Sequence, residues 1–173
     1  MTGLPVAIDP LKLAERGSRL TGRLPLRGMS RLAEQCLEDK GDVEVDLEFG
    51  RREQNNRRLM SGRLQARLQV ACPRCLKPVE LLLEARPEVV LLRPGEAEPD
   101  ESDTAESMVI EQAVELNRLV EDELLLALPM YTAHPEGQCP AGSTVAGAGQ
   151  AKRNNPFVVL EALKGESGKH SKR

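Results

Sequence analysis

Residues 66–83 of the chain, ARLQVACPRCLKPVELLL, decide the fold of its central part. Apolar and polar side chains alternate in the run before Cys72 and again in the run after Pro78, which is the period of a half-buried β-strand. The tetrapeptide CPRC, residues 72–75, separates the two runs. The stretch therefore predicts a β-hairpin whose turn carries a pair of cysteines.

Neighbouring stretches continue the strand pattern. Residues 42–50 alternate strictly, residues 59–71 repeat the alternation up to the turn, and shorter strands are predicted in 19–26 and 88–92. Short connections between successive strands favour an antiparallel sheet that is solvated on one face. The side chains predicted to face the core are Val43, Val45, Leu47, Phe49, Leu64, Ala66, Leu68, Val70, Val79, Leu81 and Leu83.

Helices are predicted at three places in the first 128 residues. Asp9 caps a short helix that begins at Pro10, and Ser30 is the predicted N-cap of a second helix within residues 28–39. Residues 116–128 have the amphipathic period of a third helix, which Pro129 ends. These elements predict an α+β fold. A single domain over residues 1–140 would have peripheral helices around an antiparallel sheet, either open or barrel-like.

The remaining segments are predicted to be connections and tails. Residues 93–107 are proline-rich and acidic, which predicts an exposed loop. Residues 141–153 are rich in glycine and alanine and predict a flexible linker. Within residues 154–173 we expect a short C-terminal helix, capped by Asn155 and begun by Pro156, and then a basic tail.

The composition restricts the class of function. A chain of 173 residues is long enough for one domain with a core and short for two. Its only aromatic residues are Phe49, Tyr131 and Phe157, which counts against the RNA-binding domains that stack bases on aromatic platforms. The first 17 residues contain no basic segment followed by an apolar run, so we expect that they are not a secretory signal, and no apolar run reaches membrane length. We therefore expect a soluble, cytoplasmic protein without a membrane partner.

The formal net charge of −3 counts against binding to nucleic acid by overall charge. Residues 51–67 nevertheless carry six arginines and one glutamate. Such a patch can contact RNA phosphates, although surface charges also cluster without a function. The candidate RNA-binding residues are Arg51, Arg52, Arg57, Arg58, Arg63 and Arg67.

The cysteines indicate metal binding or thiol chemistry, because structural disulfides are rare in a reducing cytosol. Cys72 and Cys75 precede a strand pattern and not the helix of a thioredoxin-type pair, which favours a zinc knuckle over a redox couple. A closed zinc site needs two further ligands, for which His134 and Cys139 are the candidates. Metal-free reduced thiols and redox chemistry stay open as alternatives, and Cys36 is predicted to be an ordinary buried thiol.

The sequence contains none of the common hydrolase, nucleotide-binding or metalloprotease motifs. The acidic triplet Glu121, Asp122 and Glu123 is more typical of a solvated helix face than of paired-carboxylate catalysis. On the third predicted helix Glu123 falls on the apolar stripe, so it should face the sheet and find a partner, for which Arg74 is a candidate. Glu121 and Asp122 should point more towards solvent. We expect neither an enzyme nor a small-molecule substrate.

Three segments resemble a known family. They are VACPRCLKPVELLL (70–83), VEDELLLALPMYTAH (120–134) with a cysteine after it, and NPFVVLEALK (155–164). In this order they are similar to the DUF177/YceD family of large-subunit ribosomal RNA accumulation proteins, and the resemblance runs from about residue 5 to residue 164. The middle segment is the most specific part. By position, the family motif is matched by Cys72, Arg74, Cys75, Glu121, Asp122, Glu123, Pro129, His134 and Cys139.

The resemblance implies a non-enzymatic factor in ribosome biogenesis that promotes 23S rRNA accumulation. Its implied partners are large-subunit ribosomal RNA or a pre-ribosomal particle, and the family is regarded as metal-binding and RNA-binding. A second hypothesis is a protein-binding adaptor that holds a ribosomal protein or an assembly enzyme through the acidic loop and the basic tail. A third and weaker hypothesis is a thiol oxidoreductase.

Overall fold

The computed structural model describes residues 3–53, 55–98, 106–135 and 137–139. They lie within one compact unit, Met1–Cys139. The predicted linker, the predicted C-terminal helix and the basic tail (141–173) lie outside the described residues, as do residues 99–105 of the predicted acidic loop.

In the described part of the chain strands dominate and the helices are short. The strands are β1 (Ala7–Ile8), β2 (Arg19–Pro25), β3 (Asp42–Arg51), β4 (Arg58–Ala71), β5 (Pro78–Ala85), β6 (Glu88–Leu92), β7 (Glu106–Val109) and β8 (Val114–Glu115). The α-helices are α1 (Pro10–Arg16), α2 (Ser30–Ala33) and α3 (Leu116–Ala127), and a 3-10 turn, Leu26–Gly28, precedes α2.

The main sheet confirms the predicted α+β class. Its strand order is β2-β3-β4-β6-β7, with β5 paired to β4 as well, and β1 and β8 form a separate two-stranded sheet. Every pairing is antiparallel except that of β6 with β7. Among the described strands β2 and β7 end the path, so the sheet is open and not a closed barrel.

The long strand β4 organises the sheet, because it pairs with β3 on one side and with both β5 and β6 on the other. Gly62 lies where the second partner changes: residues 64–71 pair with β5 and residues 59–61 pair with β6. A Cβ atom at Gly62 would lie 2.1 Å from the Asp46 carbonyl oxygen, and its φ of +156° is rare for L side chains. Only glycine allows β3 and β4 to approach this closely at the change of partner.

The inward-facing strand residues are those that the alternation predicts. Most of them are buried, and Val79 and Leu81 are half-buried at the margin of the same core. Burying this apolar face against α1 and α3 is the main stabilising term of the fold. The fully buried large side chains include Phe49, Leu47, Leu64, Met60, Leu116 and Leu124.

The helices agree with the sequence at α1 and α3 and differ at α2. In α1 the Asp9 carboxylate accepts the Lys12 N–H at 3.1 Å, and Pro10 is the first helical residue, as predicted. The second helix is only the turn Ser30–Ala33, shorter than predicted, and Ser30 is its first residue and not its cap. After it the chain turns towards the sheet, where the Leu37 N–H donates to the Gln69 carbonyl at 2.7 Å.

The predicted acidic loop is also shorter than expected at its second end. Residues 106 and 107 of that loop belong to β7, which pairs in parallel with β6.

Among the described residues no helix combines the length and the apolar character needed to span a membrane.

Candidate metal centre

The CPRC segment forms the turn between β4 and β5, as the sequence predicts. The Cys72 N–H donates to the Lys77 carbonyl at 2.9 Å, and the Leu76 N–H donates to the Cys72 carbonyl at 2.8 Å. Leu76 has a φ of +58°, in the left-handed region that side chains other than glycine rarely adopt. These bonds fold the backbone so that the two thiols of the turn lie on the same side.

A second segment reaches the hairpin from the end of α3. This helix packs against β5, and Pro129 follows its last turn, so the chain continues without regular structure through residues 128–135. The His134 Nε2 atom lies 3.0 Å from the Pro78 carbonyl oxygen and its Nδ1 atom lies 3.5 Å from the Cys75 sulfur. Because a carbonyl only accepts, Nε2 carries the proton and Nδ1 presents a lone pair to the sulfur.

The four predicted ligands come together in one cluster. The Sγ atoms of Cys72, Cys75 and Cys139 and a ring nitrogen of His134 all lie within 4.8 Å of one another. Cys72 is buried and the other three are half-buried. Cys36 is outside the cluster, where its Sγ donates to the Leu32 carbonyl at 3.3 Å and burial raises its pKa. The cluster formed by the three cysteines and His134 could hold a metal ion.

Zinc fits the donor set. Three thiolates and one imidazole are a common closed set of structural zinc ligands, with bonds of about 2.3 Å to sulfur and 2.0–2.1 Å to nitrogen. A tetrahedron with these bonds places sulfur and nitrogen about 3.6 Å apart, close to the 3.5 Å between Cys75 Sγ and His134 Nδ1. The bond from His134 Nε2 to a backbone carbonyl is the usual outer contact that orients a metal-binding imidazole.

The thiols have unequal proton affinities. Burial opposes ionisation of Cys72, but backbone N–H groups of His134, Arg74 and Cys75 lower its pKa to about 5. Burial raises the pKa of Cys75, and the neighbouring Cys139 and Cys72 raise it further. Cys72 therefore ionises more readily than Cys75. A cation shared by the sulfurs would relieve the repulsion that raises the pKa of Cys75.

The acidic triplet is oriented differently from the sequence prediction. Glu121, which was expected to face solvent, is buried and accepts the backbone N–H groups of Arg31 at 2.7 Å and Leu32 at 3.1 Å. The Arg31 guanidinium donates to the same carboxylate at 2.8 Å, and it also pairs with Asp122 at 2.7 Å. Burial raises the pKa of Glu121, but these hydrogen bonds outweigh burial and lower it. Glu121 therefore supplies the cap of α2 from another helix.

Glu123 does not have the partner that the sequence suggested. It is half-buried, and burial raises its pKa, with the charges of Glu106 and Asp122 acting in the same direction. Arg74 donates instead from Nε to the Tyr131 hydroxyl at 2.8 Å. The expected Glu123–Arg74 pair was therefore wrong. Sequence reasoning missed both Arg31 and Tyr131; the only signal for Tyr131 was its place between two predicted motif positions, Pro129 and His134.

The six candidate RNA-binding arginines differ in their partners. Arg52, Arg58 and Arg63 form ion pairs with Glu88, Glu96 and Glu84. Arg51 and Arg57 donate to the backbone carbonyls of Asn56 at 3.0 Å and Ala97 at 3.1 Å, and Arg67 has no ion pair within the described part of the chain.

These arginines do not form one patch. Arg51 and Arg58 are directly paired where β3 and β4 meet at their turn. Arg67 lies nine residues further along β4, which is roughly 30 Å in an extended strand.

The fold and the site define a small α+β protein with three cysteines and one histidine gathered at a hairpin turn. Residues 60–164 match the family model described as large ribosomal RNA subunit accumulation protein YceD. The chain is 30% identical over 168 residues to a protein of that name from Haemophilus influenzae, a match that covers 93% of this chain and 96% of the relative. The chain therefore belongs to the YceD family. No solved structure matches it.

Proposed function

We propose that this protein is a non-enzymatic cytoplasmic factor that promotes the accumulation of large-subunit ribosomal RNA by binding that RNA or a pre-ribosomal particle. The observation that carries the proposal is the family relationship, which extends over nearly the whole chain to a relative named for this role. The family description names an effect on RNA and no reaction. The proposal therefore assigns the protein a binding role.

We further propose that the cluster binds Zn²⁺ as a structural ion. All four ligands of a tetrahedral ion would come from the protein, which is the arrangement of closed structural sites and not of catalytic ones. Bound zinc would supply a cross-link between the β4–β5 hairpin and the segment after α3. Cys75 and His134 are 59 residues apart in the chain, so the ion would stabilise a long-range connection.

The proposed RNA contacts are the six arginines of residues 51–67, which are spread along β3, its turn and β4. Arg51, Arg57 and Arg67 are the best placed, because none of them has a carboxylate partner among the described residues. Arg52, Arg58 and Arg63 would have to exchange an internal carboxylate for a phosphate. Since an exposed ion pair contributes only about 0.2–1 kcal/mol, that exchange costs little for the exposed Arg63. Arg58 is more enclosed and is a weaker candidate.

The experiment is purification of the tagged protein from growing cells followed by sedimentation. We expect the protein to sediment with large-subunit precursors and to be released by ribonuclease. Release by ribonuclease supports RNA binding. If a ribosomal protein or an assembly enzyme instead stays bound to the protein after ribonuclease treatment, the adaptor hypothesis replaces the RNA-binding proposal. Disulfide reduction by the metal-free protein, lost in Cys72→Ser, would favour the thiol oxidoreductase.

A further inference from the structure

The two segments that supply the metal ligands expose three large apolar side chains. They are Leu76 from the hairpin turn and Met130 and Tyr131 from the segment after α3; we call these residues the knuckle surface. Leu76 is 77% exposed, Met130 is fully exposed and Tyr131 is 57% exposed. Large apolar side chains left in water at a rigid site are typical of a contact surface.

Tyr131 is held in place without being covered. The Arg74 Nε donates to its hydroxyl at 2.8 Å, and the Arg74 guanidinium carbon lies 5.9 Å from the ring centroid. Planes in van der Waals contact would be about 3.5–4.0 Å apart, so the guanidinium lies beside the hydroxyl edge of the ring and not on its face. Arg74 lies between two ligand cysteines and Tyr131 lies three residues before His134. The centre therefore fixes both ends of this hydrogen bond.

The knuckle surface carries two cations that can contact phosphates. The two segments that build it, residues 72–77 and 128–135, contain Arg74 and Lys77, and both cations are exposed. Three thiolates around one Zn²⁺ would have a formal charge of −1. In the sequence one acidic residue, Glu136, follows the second segment before Cys139, so the two cations balance the negative charges of the centre. A ring with a cation at its edge and a second cation nearby suits a nucleotide, whose base stacks while its phosphate meets the guanidinium.

We propose that Tyr131 stacks on an unpaired base of single-stranded RNA while Arg74 and Lys77 contact the adjoining phosphates. This inference rests on the proposed RNA-binding function and names the element that distinguishes single strands from duplex. It also revises the expectation from composition. Few aromatic residues exclude a platform of several rings, but a single ring positioned by the hairpin turn is enough for one base.

The test uses the intrinsic fluorescence of the protein, because the chain has one tyrosine and no tryptophan. The emission therefore reports on Tyr131 alone. The full-length protein is titrated with a single-stranded RNA of about 12 nucleotides and, separately, with the duplex of the same sequence. We expect the single strand to quench the emission and the duplex to leave it unchanged.

Two substitutions separate stacking from other contacts. Because neither variant contains a tyrosine, the RNA affinities of the parent and both variants are measured with the same end-labelled RNA. Tyr131→Leu keeps an apolar side chain and should weaken single-strand binding about 5- to 150-fold, the range that loss of one stacked base gives. Tyr131→Phe keeps the ring and should bind within about threefold of the parent, a small loss on the scale of one hydrogen bond. Metal content and thermal melting should be the same for all three proteins, which shows that the centre is intact.

The outcomes are distinct. If the parent binds RNA, its emission is unchanged and Tyr131→Leu binds equally well, the stacking inference is wrong and the proposed function stands. If the parent protein binds no RNA, both the stacking inference and the proposed RNA-binding function are wrong. If Tyr131→Leu keeps its RNA affinity but loses a ribonuclease-resistant association with a ribosomal protein, the knuckle surface belongs to a protein partner and the stacking inference is overturned.

Discussion

The carboxylate of Glu121 in α3 lies 2.7 Å from the backbone N–H of Arg31 and 2.8 Å from the guanidinium of the same residue in α2. A single carboxylate thus accepts the free N–H groups at the start of a short helix and the charge of an arginine. The last helix of the described chain is fixed in this way to the first third of the sequence. Within the acidic triplet, Glu121 therefore has a structural role.

The first prediction compares Glu121 with its neighbour. Glu121→Ala should lower the free energy of unfolding by about 2–4 kcal/mol, because one buried N–H group, one partly buried N–H group and one guanidinium lose their acceptor. Asp122→Ala is the matched control: it removes only the half-exposed ion pair with the same Arg31 and should cost no more than about 1 kcal/mol. Urea denaturation measures both. Equal losses would mean that Glu121 is not the buried member of the triplet.

The second prediction concerns pH. The folded-state pKa of Glu121 lies below its ordinary value and that of Glu123 lies above it. The stabilisation by Glu121 is therefore present above pH of about 4.3 and is lost as the pH falls through its lower folded-state pKa. For Glu123 the sign is reversed. At acid pH Glu123 is protonated, so it has no buried charge that would destabilise the fold. The free energy of unfolding then falls as the pH rises from about 4.3 through the raised pKa of Glu123.

Urea unfolding of the parent, Glu121→Gln and Glu123→Gln is measured between pH 3 and 8. This range extends roughly from the ordinary pKa of a carboxyl group to that of a thiol. The stability deficit of Glu121→Gln should shrink at the acid end. Any gain of Glu123→Gln over the parent should appear only above a pH of about 4.3. Parallel curves for the parent and Glu123→Gln would show that this carboxyl has an ordinary pKa.

How far the sequence predicts this structure depends on the kind of signal. Alternation placed β3, β4 and β5 and their inward residues correctly, because a strand with one buried face requires a period of two. The same pattern placed the CPRC turn, and two-ligand spacing selected Cys72 and Cys75. His134 and Cys139 were found as the remaining candidates for a tetrahedral site. These features depend on local chemistry.

The errors depend on contacts between distant segments. Glu121 follows the buried Val120 on the flank of α3 that meets α2, and helical periodicity along α3 gives no information about α2. The pairing of Arg52, Arg58 and Arg63 with glutamates 21 to 38 residues away is likewise absent from the local charge pattern. The sequence shows how many charges there are. It does not show which of them neutralise each other.

The third prediction concerns zinc binding by the cysteines of the cluster. Cys72→Ser or Cys75→Ser should abolish stoichiometric zinc and lower the melting temperature, since a structural zinc site contributes directly to folding. Cys36→Ser is the control, because Cys36 lies outside the cluster, and it should retain one zinc per chain. Elemental analysis with melting in the presence and absence of a chelator measures this. A parent protein that is free of metal and melts identically with and without chelator contradicts the zinc proposal.

The fourth prediction separates the two kinds of arginine. Replacing Arg51, Arg57 and Arg67 together by Ala should weaken RNA binding and flatten the dependence of log K on log salt. Each lost phosphate contact should reduce the slope by about 0.7 on single strands. Replacing Arg52, Arg58 and Arg63 should change the slope less, because these three are paired to glutamates. A larger change from the second set would place the RNA contacts on the paired arginines.

The most direct test of the central claim is ultraviolet crosslinking of the protein to RNA in growing cells, followed by sequencing of the attached fragments. If the protein promotes large-subunit RNA accumulation by binding that RNA, the crosslinks should concentrate in large-subunit ribosomal RNA and its precursors. They should decline in the variant lacking Arg51, Arg57 and Arg67. Crosslinks spread in proportion to RNA abundance, or none above an untagged control, would contradict the account.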